Sequence, residues 1–408
     1  MSLDLDFVRA HFPGLKSPWA FFDNAGGSHV LAGVAHRIQE FLLSSPVQHG
    51  ASYAMSQLGM QRVAEATAAV AALIGAAHRE EVVMGPSTTA QLRWLSISLG
   101  RTLVPGDEII VSRTDHDANV SPWLDLQRQG IVIRYWSCNP DTYRLELADL
   151  EALLGSRTRL VAVTHCSNIL GMINPIREIA RRVHAAGALI CVDGVAFAPH
   201  RRVDVQALGI DFYVFSTYKV YGPHYAVLYG KRAHLRRLPG VNHRFIAEDD
   251  LPYKFQPGNV NFELAYGMLG LTEYLQALAE HHQRPADSLA AAAEEAFALF
   301  AAHETQIAER LLGYLRQKAG IRIIGEPVAD PARRVPTIAF VAQGRNSREI
   351  VEAIDPHQIA VRYGDFYAKF LIEDLGLQAQ EGVVRVSMVH YNTLDEVDRL
   401  LAVLDQVL

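Results

Sequence analysis

The chain has 408 residues, of which 50% are hydrophobic and 20% charged, and its formal net charge is -6. A chain of this length and apolar content can bury a large core and form more than one domain. Because charges of both signs are interspersed without a basic block, the composition argues against nucleic acid or an anionic membrane as a partner. We expect a small-molecule substrate.

The N-terminal sequence "MSLDLDFVRAHFPGL" is acidic and mixed, and no apolar run approaches the roughly 20 residues of a membrane helix. We therefore expect a soluble, cytoplasmic protein. Cys138, Cys166 and Cys191 lack CxxC spacing, so they predict reduced, buried thiols rather than disulfides or a zinc site. The seventeen histidines show no HExxH pattern, and we expect no metal.

Between about residues 82 and 229, short β-branched runs alternate with amphipathic stretches. Strands are predicted for "EIIVS", "IVIRYW", "RLVAVTH", "ALICVD", "DFYVFS" and "YAVLYG". Helices are predicted for "TTAQLRWLSISLG" and "PIREIARRVHAAG". This alternation is typical of an α/β fold with a mostly parallel sheet covered on both faces.

The C-terminal part differs in composition. An alanine-rich stretch between Pro285 and Gly320 predicts a long helix. The runs "IRIIG", "TIAFVAQG", "IAVRYG" and "VVRVSMV" then alternate with helical stretches. We predict an N-terminal segment (1–20) packing with a small domain, a large domain (21–284), and the small α/β domain itself (285–408), with a cleft between the two domains.

Two charged residues follow neighbouring predicted strands. Asp193 ends "ALICVD", and Lys219 follows "DFYVFS", so both can project into the crevice where α/β sheets bind ligands. Pyridoxal phosphate requires this pair, since a lysine forms the Schiff base and a carboxylate keeps the pyridinium nitrogen protonated. For either residue alone, a turn cap or a solvated charge is the commoner explanation.

A phosphate cradle is indicated by "VVMGPSTTAQLRW", in which a strand and a Gly-Pro turn precede a helix that opens on hydroxyl groups. Backbone N–H groups and the helix dipole favour a dianion at such a position. An ordinary N-cap accounts for one hydroxyl, but less well for Ser87, Thr88 and Thr89 in succession.

Five motifs together resemble the class V aminotransferase superfamily of pyridoxal phosphate enzymes, in particular its cysteine desulfurase-like branch. They are "VSRTDHDANVSPW", "THCSNILGMINPI", "VDGVAFAPH", "FSTYKVYGPH" and "VRVSMVHYNTLDEVDRL". The resemblance covers most of the chain. It implies a type I PLP-dependent transferase fold, with a mostly parallel seven-stranded-type sheet in the large domain and a smaller C-terminal α/β domain. It also implies a homodimer with active sites at the interface.

The resemblance assigns roles to individual positions. Lys219 would form the Schiff base, Asp193 would pair with the pyridinium nitrogen, and His116 would stack on the cofactor. The other cofactor-binding candidates are Asn168 at the phenolic oxygen, Ser87, Thr88, Thr89 and Ser216 at the phosphate, Tyr218 in place of a family histidine, and Asn259 reaching the neighbouring subunit's phosphate. The substrate-binding candidates are Arg385, suited to two-point carboxylate binding, and Arg362, Asn24 and His49.

Besides Tyr218, two further positions depart from the family pattern. Desulfurases of this branch carry a persulfide-forming cysteine in a loop resembling "RxGxxCA", whereas this chain has "VRYGDFYA" with Tyr367 at the cysteine's place. A phenol cannot carry a persulfide, so Tyr367 is either a neutral proton donor or a wall of the pocket. Ala196 stands where a glutamine is expected, which removes a hydrogen bond to the phenolic oxygen.

Three functions remain open from the sequence. The first choice is a carbon-sulfur lyase that cleaves cysteine or an S-substituted cysteine by β-elimination. The second is an aminotransferase or amino-acid epimerase, since one fold hosts several reactions. The third is a catalytically silent scaffold, which would have no need to keep Lys219 and Asp193.

Overall fold

The computed structural model of the protein describes residues 2–408. Its strands are β1 Ala20–Phe21, β2 Val82–Gly85, β3 Glu108–Ser112, β4 Val132–Trp136, β5 Thr158–Thr164, β6 Leu189–Asp193, β7 Phe212–Ser216, β8 Ala226–Gly230, β9 Ile321–Ile324, β10 Thr337–Ala342, β11 Ile359–Ala360, β12 Arg362–Gly364 and β13 Val383–Ser387. The α-helices are α1 Leu5–Ala10, α2 Ala32–Ser44, α3 Ala54–Leu73, α4 Thr88–Gly100, α5 Ser121–Leu124, α6 Leu147–Leu153, α7 Ile176–Ala185, α8 Val205–Leu208, α9 Arg232–Arg237, α10 Phe262–His281, α11 Leu289–Gln317, α12 Ser347–Ile354, α13 Lys369–Asp374 and α14 Leu394–Val407.

A seven-stranded sheet forms the centre of the large unit, in the order β2-β8-β7-β6-β5-β3-β4. Strand β8 runs opposite to the other six strands. Strand β5 shows why both faces are covered: Val161 and Val163 pack into one core while Leu160 and Ala162 pack into the other. This period of two in a fully apolar run is the pattern of a doubly covered sheet. The predicted α/β class and mostly parallel seven-stranded sheet are confirmed.

The smaller unit has a different topology. Its four strands are all antiparallel, in the order β12-β13-β10-β9, and helices α11, α12 and α14 pack on them. The predicted strand "IAVRYG" divides in two, because β11 pairs with β1 while β12 joins the four-stranded sheet. The break falls at Val361, where the chain passes from one sheet to the other.

Helix α11 connects the two units. Its first half contributes Ala296 and Phe300 to the core of the large sheet, and its second half contributes Ile307 and Leu311 to the core of the small one. Ser288 begins the helix by accepting a hydrogen bond from the Ala291 N–H. Because this one helix belongs to both cores, it does not by itself separate two domains. The predicted domain boundary between residues 284 and 285 therefore stays a prediction.

The N-terminal segment also contacts both units. Val8 and Phe12 pack in the core of the large sheet, whereas Arg9 pairs with Glu396 of α14 at 3.0 Å. Its predicted assignment to the small domain therefore stays a prediction. Among the helices of residues 2–408, none combines the length with the apolar character that crossing a bilayer demands.

Candidate active site

A cavity of about 510 Å³ opens where the parallel strands β5, β6 and β7 end and helix α4 begins. It is lined by Ser87, Thr88, Thr89, His116, Ala118, Thr164, Cys166, Asn168, Asp193, Val195, Ala196, Ser216, Tyr218 and Lys219. Nine of the residues predicted from sequence are in this lining, although they are spread over more than 130 positions of the chain. The carboxyl ends of the strands bring them together.

Asp193 and Lys219 are both buried in this cavity. Burial raises the pKa of the Asp193 carboxyl to about 6, against the lowering effects of the Val195 N–H and the charge of Lys219. Burial and the positive charge of Arg385 lower the pKa of the Lys219 amine to about 8. A lysine whose pKa is lowered towards neutrality can hold or release a proton near physiological pH.

The His116 side chain forms part of the cavity lining. Its Nδ1 accepts a hydrogen bond from the Ala118 N–H at 3.0 Å, which fixes the ring. Burial, together with the nearby charge of Lys219, lowers the pKa of His116 to about 4. The imidazole is therefore neutral at physiological pH and presents an uncharged aromatic surface to the cavity.

Hydroxyl groups surround the start of helix α4. Ser87 is its N-cap and accepts from the Ala90 N–H, while Thr88 Oγ1 and Ser216 Oγ form a hydrogen bond of 2.8 Å. Ser87 is thus an ordinary helix N-cap, which accounts for one of the three successive hydroxyl groups. The remaining hydroxyls and the helix N-terminus still face the cavity, where they suit a phosphate group.

Asn168 has one hydrogen-bond partner and one orphaned atom. Its Nδ2 donates to the Phe366 carbonyl at 2.9 Å, whereas its Oδ1 is buried without a partner. A buried polar atom left unpaired is costly, so this orphan in the cavity lining indicates a ligand that supplies the missing donor. With the hydroxyl cradle and the Asp193–Lys219 pair, the residues fit pyridoxal 5′-phosphate.

Arg385 and Arg362 lie beside the cavity and outside its immediate lining. They are cross-strand partners on β13 and β12, and Asp23 bridges them, with one oxygen 2.9 Å from Arg385 and the other 3.5 Å from Arg362. Arg385 also donates to the Asn168 carbonyl at 3.2 Å, and its Nε has no partner. This buried N–H is a donor left without an acceptor.

Besides the two arginines, four other predicted residues are not in the cavity lining. Asn24 is buried and donates to the Ser387 carbonyl and Asn392 while accepting from Tyr391. His49 stacks on Phe262 with ring centroids 3.5 Å apart, and Asn259 Nδ2 donates to Gln48 at 3.3 Å. The two residues line separate grooves. Tyr367 is 70% exposed, and its ring lies 5.2 Å from that of His116.

Three charged or aromatic residues near the cavity were not predicted from the sequence. Asp115 is buried and accepts from the Thr164 N–H and Asn119, Asp23 binds the two arginines, and the Phe366 ring lies on Arg385. The position of Asp115 directly before His116 was the available signal for it. Nothing local in the sequence points Asp23 or Phe366 towards the arginines.

The comparisons with known proteins agree with this geometry. The family described as Aminotransferase class-V matches residues 20–400. The chain is 41% identical to the aminotransferase-like protein FGM3 of Gibberella zeae, covering 100% of this chain and 99% of that protein. It is 33% identical to a cysteine desulfurase of Dickeya dadantii, covering 99% and 96%.

A solved structure gives the same result. The cysteine desulfurase CsdA of Escherichia coli superposes with a TM-score of 0.84 at 27% identity, over 100% of this chain and 99% of that one. The chain belongs to the class V aminotransferase family. It has the type I fold of that family's pyridoxal phosphate enzymes, and it is a PLP-dependent enzyme of the kind that acts on amino acids.

Proposed function

We propose that the protein is a pyridoxal-phosphate-dependent carbon-sulfur lyase, which cleaves L-cysteine or an S-substituted cysteine by β-elimination. Substrate and water would give pyruvate, ammonia and a thiol. One observation carries the proposal: the cavity keeps the buried Asp193 and Lys219, while the loop beside it has Tyr367 where a desulfurase has its sulfur-accepting cysteine. Sulfur would then leave as a free thiol.

The cavity residues would hold the cofactor as follows. Ser87, Thr88, Thr89 and Ser216 would bind the phosphate, with Tyr218 nearby, and Asp193 would face the ring nitrogen. His116 would lie against the ring, and Lys219 would be the point of covalent attachment. The bound group supplies an electron-accepting ring that stabilises negative charge at the substrate's α-carbon.

Lys219 would move the α-proton. With a pKa of about 8, its amine is neutral in a substantial fraction of molecules near neutral pH, and a neutral amine can accept a proton. Loss of the α-proton and departure of the sulfur from the β-carbon leave the carbon skeleton that water converts to pyruvate. Tyr367 would donate a proton to the leaving sulfur.

Arg385 would bind the substrate's α-carboxylate through its unpartnered Nε and a neighbouring Nη. Arg362, which is more exposed, would add charge at the same place. Asp23 offsets part of that charge. The net positive charge of the cluster favours a carboxylate over a neutral group.

We further propose a homodimer. Helices α2 and α3 and the segment between them expose an unusual number of apolar side chains: Leu42, Leu43, Tyr53, Met55, Leu58 and Met60. His49 and Asn259 lie in the adjoining grooves, so a second copy docked there could receive them at its own site. Burial of this apolar surface is the expected driving force for dimer formation. Sedimentation velocity would measure whether the protein has the mass of one chain or of two.

The reaction is tested with cofactor-loaded protein, L-cysteine and a panel of S-substituted cysteines, by assaying pyruvate, alanine, sulfide and the cofactor spectrum. The expected result is pyruvate, with the spectrum returning to its starting form. Lys219→Ala is the matched control and should give no product. Alanine with sulfide would mean desulfuration without the loop cysteine and would refute the lyase proposal.

The same experiment distinguishes the second candidate, an aminotransferase, which the 41% identity to the aminotransferase-like protein FGM3 favours. Transamination would leave the cofactor in its amine form after one half-reaction, with no pyruvate from S-substituted cysteines. A protein that remained colourless after incubation with pyridoxal phosphate would instead support the scaffold.

A further inference from the structure

The guanidinium group of Arg385 lies on an aromatic ring. Its Cζ is 3.7 Å from the centroid of the Phe366 ring, and Cζ of Arg362 is 5.8 Å from the same centroid. Phe366 is only 7% exposed, so water is largely excluded from this contact. A cation over a desolvated ring is attracted more strongly than one at the surface.

The backbone of Phe366 is held in an unfavourable conformation. Phe366 and Tyr367 have φ values of +49° and +59°, in the left-handed region that is unfavourable for a residue with a Cβ atom. Two contacts to the large unit hold them there: Asn168 donates to the Phe366 carbonyl at 2.9 Å and the Asp117 N–H donates to the Tyr367 carbonyl at 2.8 Å. These two hydrogen bonds therefore fix the backbone from which the Phe366 ring projects.

Repulsion between Arg362 and Arg385 makes their positions depend on contacts with neighbouring groups. As directly opposed cross-strand partners, Arg362 and Arg385 repel each other, and Asp23 supplies one negative charge between two positive ones. Of the Arg385 nitrogens, Nη1 and Nη2 have partners while Nε has none. The ring is therefore the contact that covers the guanidinium face without occupying its free N–H.

We propose that Phe366 is a positioning residue, which holds Arg385 in the orientation that receives the substrate's α-carboxylate. This inference rests on the proposed function, in which Arg385 binds that carboxylate. The loop that carries Tyr367 would then have a second role, because its Phe366 contacts both Arg385 and Asn168 of the cavity.

The test measures equilibrium binding to the cofactor-loaded protein, from the change in the cofactor's visible absorption. Two ligands of matched skeleton are used, 2-aminoisobutyrate and isopropylamine, which differ only by the carboxylate. The dissociation constant of isopropylamine divided by that of 2-aminoisobutyrate isolates the carboxylate's contribution. Phe366→Leu should reduce this ratio by about 2-fold to 30-fold, whereas Phe366→Tyr, which keeps a ring, should restore it. Phe366→Met serves if the leucine variant does not fold.

Phe370→Leu is the matched control, because it removes a ring that lies 4.3 Å from the Arg113 guanidinium, away from the cavity lining. It should leave the ratio unchanged. An unchanged ratio in Phe366→Leu would overturn the inference, as would equal weakening of both ligands, which indicates a merely structural role. A ratio near one in the unsubstituted protein would refute carboxylate binding at Arg385 itself, and so would be distinguishable from failure of the Phe366 inference.

Discussion

Asp115 is expected to be a neutral carboxylic acid in the folded protein. It is buried beside Asp193, and burial raises its pKa from the ordinary 3.8 to about 8, although Ser112, Asn119 and the Thr164 N–H all oppose that shift. A neutral carboxyl can donate its proton to Ser112 while still accepting from the other two groups. In the unfolded chain the same carboxyl ionises above about pH 4.

The sign of the pH dependence follows. Because the folded state holds this proton and the unfolded state releases it, Asp115 makes the protein less stable as pH rises from about 4 to about 8. The loss is at most about 1.4 kcal/mol per pH unit, and it amounts to about 2.5 kcal/mol between pH 5.5 and 7.5 because the folded carboxyl begins to ionise near pH 8. Asp115→Asn removes the titration and leaves a constant cost of about 1 kcal/mol, because the amide loses one of the accepted hydrogen bonds.

The assay is urea unfolding of the cofactor-free protein and of Asp115→Asn at pH 5.5, 6.5 and 7.5. Subtracting the two unfolding free energies at each pH cancels the other titrating groups, and the variant should gain relative stability with rising pH. Asp141→Asn, at an exposed carboxyl, is the matched control and should give a flat difference. A flat difference for Asp115→Asn would show that this carboxyl is ionised in the folded state and would refute the burial argument.

Further predictions concern the loop, the contact between the units and the thiols. Tyr367→Phe should slow turnover at least several-fold at unchanged cofactor content, and an unchanged rate would remove the phenol from the mechanism. In a urea titration, Gly171→Ala should lower the unfolding free energy by more than about 2 kcal/mol, because φ is +64° and the new Cβ would lie against the Thr337 carbonyl oxygen. Gly187→Ala is the control, because φ is +77° but the space around it is open; it should cost about 1 kcal/mol. The three buried cysteines, whose pKa values burial raises, should not react with a thiol reagent until the protein is denatured.

The sequence predicted the central sheet and most of the cavity because both depend on local patterns. A buried strand such as β7 is a continuous apolar run, and parallel strands place their following residues at one edge, which is how Asp193 and Lys219 come together. The arginine cluster could not be predicted in this way. Asp23 reaches Arg385 because, just after β1, it forms an isolated bridge with Ser387 of β13. This pairs segments more than 360 residues apart, which no local pattern encodes.

The position of Tyr367 explains how one fold could change its reaction. The cavity residues are fixed by a sheet packed on both faces, so substituting them would disturb the core. Tyr367 is held only by its backbone, which donates to Asp365 and accepts from the Asp117 N–H, while its side chain is largely exposed. Packing places little constraint on which side chain stands there. Under the proposed lyase function, tyrosine at this position would therefore fit the loop without repacking, and it would leave the sulfur without an accepting thiol while Lys219 still moved the α-proton.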